Sequence, residues 1–176
     1  VSKWELDTPA LCVDLDALEA NITTMQTRLA AQGLGARPHA KTHKSADIAK
    51  KQRAAGALGI CTSKVSEAEA LMAAGVERIC MTTTNPSASK IRRAMALSAK
   101  SAHFIQAVDE EKNARDVSDA AKAAGVTAHV VLDLAVGTRS GIPAGDGAIA
   151  LAEPVGRPPN RRVRGRLCYG GGAPPL

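Results

Sequence analysis

Basic and imidazole side chains stand at every second position of one short run, Arg37-Pro38-His39-Ala40-Lys41-Thr42-His43-Lys44-Ser45. Successive side chains of an extended strand point to opposite faces, so Arg37, His39, Lys41 and His43 would share one face. Pro38 fits this reading, because it accepts an extended backbone and disfavours a helix before it. Several cation-forming groups on one face repel one another and are costly to bury unpaired. The crowding has a chemical use. An amine beside other positive charge, partly desolvated, gives up its proton more readily, and the neutral amine attacks a carbonyl. Lys41 is therefore read as a Schiff-base lysine. Two plainer readings stand level with it on spacing alone. His39 and His43 could bind a metal, given further ligands that no nearby residue supplies. The run could also be a solvated basic loop that holds phosphate.

The elements that must position this run alternate regularly. An entry segment leads to a short apolar strand at residues 10–14, and Asp16 with Glu19 caps a helix striped by Leu18, Ile22, Met25 and Leu29 and closed by Gly33. The Arg37 strand follows, and Ser45 caps a helix to Gly56 with Ile48, Ala49 and Ala55 inward. The unit then repeats. A strand at 59–62 precedes a helix opened by Ser66 and Glu69 and closed at Gly75; a strand at 78–81 precedes a helix from Ser87 carrying Ile91, Ala94 and Met95. A strand at 103–108 leads to a helix from Asp109 to Gly125, and the longest apolar strand spans 126–136. A helix beginning at Asp146 fades at Pro154, and 163–169 is one more strand. Strands alternating with helices of this length imply an α/β fold with a parallel sheet. The regular repeat, without a Gly-x-Gly-x-x-Gly turn, favours a TIM-type (β/α) barrel over a dinucleotide-binding sheet. Counted from Arg37 there are six strands, against the eight of a closed barrel, so the barrel is expected to be incomplete. Chemistry in such barrels sits at the C-terminal strand ends. Lys41 and His43 lie at one, the turn Val136-Gly137-Thr138-Arg139-Ser140-Gly141 at another, and Tyr169 at a third. Thr62, Lys64 and Glu67, near the end of the 59–62 strand, are read as secondary contacts, the plainer role of Glu67 being in a helix first turn.

Composition narrows the function classes. The net charge of +6 is concentrated in Arg157, Arg161, Arg162, Arg164 and Arg166, and without that tail the chain carries about +1. With 2% aromatic residues there are no stacking platforms either, so nucleic-acid binding is disfavoured. Cys12, Cys61, Cys80 and Cys168 have no paired metal spacing and fall in or beside strands, where free cysteine behaves as a small apolar residue. No long apolar run or cleavable leader is visible. A soluble, cytoplasmic protein without membrane contact is expected.

The Arg-Pro-His-Ala-Lys-Thr-His-Lys run closely resembles the first barrel strand of the D-threonine aldolase and D-serine dehydratase family, whose N-terminal barrel is alanine-racemase-like. The resemblance extends to Leu6-Asp7-Thr8-Pro9-Ala10-Leu11, to Val65-Ser66-Glu67-Ala68, and to residues 165–169. It implies that residues 1–176 form the N-terminal part of such a barrel and that the family's C-terminal β domain is absent. It implies pyridoxal 5'-phosphate as cofactor, carried by Lys41, with His39, Arg139 and Tyr169 as cofactor contacts. Arg139 corresponds to an arginine that reaches the cofactor's ring oxygen or the substrate carboxylate, although the family commonly places two residues between the turn glycine and that arginine, and here only Thr138 intervenes. Where the family carries a basic histidine after the tyrosine, this chain has Pro174 and Pro175.

The activity implied is a lyase cleaving D-β-hydroxy-amino acids, with D-threonine giving glycine and acetaldehyde. D-serine dehydration and 3-hydroxy-D-aspartate cleavage are alternatives, as are a non-catalytic cofactor carrier and a nonfunctional fragment. The expected partners are a small-molecule D-amino-acid substrate and a second copy of the chain in a homodimer. The family also uses a divalent cation, held by ligands outside this chain, so the isolated polypeptide is expected to be weak or inactive.

Overall fold

The computed structural model describes residues 2–137, 139–156 and 160–171, with backbone alone for 153–156. Its helices are α1 (Leu15–Ala31), α2 (Ala46–Ala54), α3 (Val65–Ala73), α4 (Ala88–Lys100), α5 (Glu111–Ala123) and α6 (Asp146–Gly156). Its strands are β1 (Ile60–Thr62), β2 (Ile79–Met81), β3 (Ile105–Val108), β4 (Ala128–Ala135), β5 (Ile142–Pro143) and β6 (Arg161–Cys168). All strand pairs are parallel, in the order β1-β2-β3-β4-β5, with β6 also on β4. The expected α/β architecture is therefore present.

The strand expected at Arg37 is an extended segment with one bridge, His39 to Cys61. Leu58 N–H donates to the Ala36 carbonyl, Cys61 N–H to Pro38 and Ala40 N–H to Cys61. This segment therefore lies along β1 and ends at Ala40. The sixth strand of the sheet is instead the two-residue β5, which falls where only a turn was expected. No strand forms at residues 10–14. Leu11 there is 99% exposed, because no neighbouring strand takes its hydrogen bonds or covers it.

Helix punctuation follows local chemistry. Asp14, rather than Asp16, caps α1 by accepting the Ala17 N–H, and Ser45 caps α2 by accepting the Ile48 N–H. Glu67, rather than Ser66 and Glu69, closes the start of α3 by accepting the Ser63 and Lys64 N–H groups. Glu69 instead pairs with Arg93 of α4. Helix α5 begins after Glu110 rather than at Asp109, and α6 continues through Pro154 to Gly156. Gly75 and Gly125, just past α3 and α5, have φ of 84° and 64°, the left-handed geometry that glycine adopts at least cost.

One face of the sheet carries Ile60, Ile79, Met81, Val108, Ala128, Val130 and Leu132 into a core completed by Ala49 of α2, Val65, Ala68 and Leu71 of α3, Ile91, Ala94 and Met95 of α4, and Ala114, Val117 and Ala121 of α5. Phe104, the single phenylalanine, is 2% exposed in that core. Ala55 is exposed rather than inward, and α1 contributes no buried residue, its Met25 being 56% exposed. Among the described residues, no helix is long and apolar enough to cross a membrane.

Candidate functional site

The face of the sheet opposite the helices is where chemistry-bearing residues gather. Strand register places His39, Cys61, Cys80, Ile105, His129 and Arg162 side by side in one row. Residues paired across parallel strands point the same way. The next positions toward the C-terminal edge, two residues on, include Ser63, Thr82, Ala107 and Val131.

The basic run divides where the extended segment ends. Arg37 and His39 lie on this face. Arg37 Nη1 donates to the Arg78 carbonyl at 2.7 Å and fills the space beside Gly59, where a Cβ would overlap the guanidinium. After Ala40 the chain turns, with the Lys44 N–H donating to the Ala40 carbonyl and Lys44 at φ 51°. The four groups therefore do not share one face, because the alternation on which that expectation depended stops at Ala40. His43 turns back to the start of α2, where its Nδ1 accepts the Ser45 N–H at 3.0 Å. It serves the helix entry, and the metal reading of the His39–His43 pair has no geometry behind it. Among the described residues no group of three or more His, Cys, Asp or Glu gathers to hold a metal ion.

His39 is held on both sides. Its Nδ1 accepts the Lys41 backbone N–H at 3.2 Å, which puts the proton of the neutral ring on Nε2. Nε2 faces Ser63 Oγ at 3.2 Å and Thr82 Oγ1 at 3.3 Å. Thr82 Oγ1 in turn donates to the Thr62 carbonyl. Burial, and then the positive charge of Lys41, hold the His39 pKa below its ordinary value against the opposing pull of Glu67. The result is a neutral imidazole of fixed tautomer beside an exposed primary amine on the turn that follows.

Arg139 and Tyr169 form the second cluster. The Arg139 guanidinium carbon lies 5.1 Å from the Tyr169 ring centroid, joining the turn after β4 to the end of β6. In register, Leu134 pairs with Cys168, so both residues stand on the C-terminal edge that also carries Lys41. The structure thus pairs Lys41 with His39 and Arg139 with Tyr169, and β1, β2 and β3 separate the two pairs in sheet order. Thr138, Gly172, Pro174 and Pro175 lie outside the described residues.

The secondary contacts fare differently. Thr62 is fully buried on the helix-facing side, with its Oγ1 unpartnered, because strand parity turns it away from Ser63. Glu67 has the plainer role of a helix first turn. Sequence reading missed Ser63 and Thr82, each one residue beyond a strand, and Asp133. Asp133 is 1% exposed on the site-side face of β4, and neither carboxylate oxygen has a hydrogen-bond partner. Burial raises its pKa, reinforced by Asp109, and the Ser140 hydroxyl, near but outside hydrogen-bonding geometry, opposes the rise without cancelling it. Strand-end position could have marked the two hydroxyls, whereas only register could have found Asp133.

A parallel sheet backed by helices, with a lysine, a neutral histidine and a stacked arginine along its C-terminal edge, is the arrangement of an α/β-barrel segment. The chain belongs to the alanine racemase, N-terminal domain family, whose profile matches residues 13–173. Among its relatives, a 3-hydroxy-D-aspartate aldolase of Paracoccus denitrificans is 34% identical over 95% of this chain and 44% of its own length. A D-threo-3-hydroxyaspartate dehydratase of Delftia sp. is 37% identical over 86% of this chain and 40% of its own. The crystal structure of a D-threonine aldolase from Filomicrobium marinum superposes with a TM-score of 0.88 at 37% identity, over 91% of this chain and 43% of that one. The chain thus spans less than half the length of the relatives it matches.

Proposed function

We propose that this chain forms the cofactor-holding barrel segment of a pyridoxal-phosphate-dependent lyase acting on D-β-hydroxy-amino acids, with D-threonine cleaved to glycine and acetaldehyde. The observation that carries the proposal is the exposed Lys41 amine beside a His39 ring fixed in its neutral form. A primary amine is the protein group that an aldehyde cofactor requires, and an exposed amine at a strand end fits one. Pyridoxal phosphate, when bound, supplies an electron sink for bond cleavage at the substrate's α-carbon.

The protein's own contribution is positional. Lys41 would hold the cofactor through its amine. His39 presents its Nε2 proton to Ser63 and Thr82, and so fixes the floor of the site without adding a second positive charge beside Lys41. Arg139, steadied on the Tyr169 ring, offers guanidinium donors to a phenolate-type or carboxylate oxygen. A divalent cation belongs to this reading through the family alone. The described residues do not fit one, and no step is assigned to it.

Cleavage of 3-hydroxy-D-aspartate is the second reading, favoured by the Paracoccus relative. D-serine dehydration stands behind it, and a hydroxyaspartate dehydratase among the relatives supports β-hydroxy-amino acids as the shared substrate class. A cytoplasmic homodimer is the proposed setting. The four free cysteines support a reducing compartment, and sedimentation velocity would report the dimer.

The test is a visible spectrum after adding pyridoxal phosphate, with and without Lys41→Ala. A band near about 410–430 nm that disappears in the variant is expected. A band indifferent to the substitution would remove Lys41 from the site. Incubation with D-threonine and manganese, followed by assay of glycine, separates a lyase from a mere carrier.

A further inference from the structure

Cys61 and Cys80 are 19 positions apart in the chain, so spacing gives no sign that they meet. Register makes them direct partners on β1 and β2. Adjacent strands run about 4.7–4.9 Å apart, which falls within the Cα separation that a disulfide spans. Both side chains take the face opposite the helices, in the row headed by His39. Cys80 is 6% exposed and Cys61 half-buried, so the pair is screened but open from one side. The register sets the two thiols side by side, with the Arg37 guanidinium close enough to favour negative charge on each.

We propose that Cys61 and Cys80 are an oxidisable dithiol, which a peroxide converts to a disulfide tying β1 to β2 beside His39. The proposal does not depend on the cofactor reading. The unequal surroundings of the two paired thiols set the order of events. Its Cys61 neighbour, followed by Arg37, draws the Cys80 thiol below its ordinary pKa against the cost of burial, whereas the Cys80 neighbour and burial raise that of Cys61. Cys80 is therefore the thiolate that attacks. Its sulfur takes one peroxide oxygen as a sulfenic acid, and the O–O bond breaks to release hydroxide, which leaves as water with a proton from solvent. The Cys61 sulfur then attacks the Cys80 sulfur and loses its own proton, and the S–O bond breaks to release a second water. Two thiols give up two electrons, and one peroxide is reduced to two waters. A dithiol reductant reverses the change.

The experiment uses the chain with Cys12→Ser and Cys168→Ser, which removes the two exposed thiols and leaves the pair untouched. After treatment with hydrogen peroxide, digestion without reductant is expected to yield one linked peptide containing Cys61 and Cys80, lighter by two hydrogens and split by dithiothreitol. In the same background, Cys61→Ser is expected to leave Cys80 trapped by dimedone as a sulfenic acid. Cys80→Ser is expected to label at Cys61 about tenfold more slowly. Two free thiols after oxidation, a link between separate chains, or equal dimedone labelling of the two single variants would overturn the proposal.

Discussion

The backbone N–H of Lys41 donates to Nδ1 of His39 at 3.2 Å, so the residue that offers the amine also sets the protonation of the ring beside it. A side chain two positions back in an extended segment reaches the turn that follows it, and the turn in turn fixes the tautomer. Ser63 and Thr82, from the ends of β1 and β2, hold the opposite ring nitrogen. Three successive strand ends are thereby tied at one imidazole.

Replacing His39 therefore affects Lys41 without removing it. His39→Leu is expected to weaken pyridoxal phosphate binding about tenfold, the effect of losing one or two hydrogen bonds near the amine. His39→Gln, which keeps a polar group of similar reach, is expected to recover part of the loss. Titration of the visible band against cofactor concentration measures both.

The Arg139–Tyr169 contact is a coupling between two loops. Exposed cation–π pairs contribute about 0.5–1 kcal/mol, and Tyr169 is 46% exposed. A double-mutant cycle in urea with Arg139→Ala and Tyr169→Phe or Tyr169→Ala is expected to show that much coupling for the alanine pair. The phenylalanine variant, which keeps the ring face, is expected to show almost none.

Acid should destabilise the chain before its carboxylates matter. His39, His43 and His129 all have folded pKa values below the ordinary 6.5, with burial the leading cause in each. The unfolded chain then takes up protons near 6.5 that the folded chain refuses. Stability is full above that value, falls as the pH drops through it, and levels off once the depressed values are passed. Urea midpoints measured from pH 7.5 downward check this, and His39→Gln should flatten the slope. Asp133 acts with the opposite sign, because its folded carboxyl keeps a proton to higher pH than its ordinary 3.8. Asp133→Asn is expected to raise stability at pH 7.5 by about 1–2 kcal/mol, since it removes a buried carboxylate without partners.

Burial contrasts give the largest expected effects on stability. Phe104→Ala opens a cavity at a residue 2% exposed and is expected to cost about 3–4 kcal/mol. Leu11→Ala, at 99% exposure, is expected to change stability by less than about 0.5 kcal/mol. Equilibrium unfolding of the two variants side by side is the check.

The repeat was legible because each βα unit carries its own punctuation. Ser45, Gly75, Ser87 and Gly125 bound their helices through local backbone chemistry, which needs no tertiary information. Residues 10–14 misled because an apolar run becomes a strand only with a partner alongside, and none lies there. The alternation from Arg37 to His43 misled because a strand's length is set by its neighbour, and pairing with β1 stops at Ala40. Lys41 was singled out from its local context. The hydroxyls that hold His39, the orphaned Asp133 and the meeting of Cys61 with Cys80 depend on which residue faces which across strands. That information lies between segments rather than within any one of them.

Helix α1 runs for 17 residues yet gives nothing to the buried core. Half-covered side chains at Leu18, Ile22 and Leu29, together with an exposed Glu19–Lys51 ion pair, are what hold it against the rest. Such a pair contributes at most about 1 kcal/mol. The helix is thus a separable cooperative unit, able to lift away while the sheet stays intact. Its amides should exchange with deuterium well ahead of those in β1 to β4, which would make it the first place where a protease gains entry.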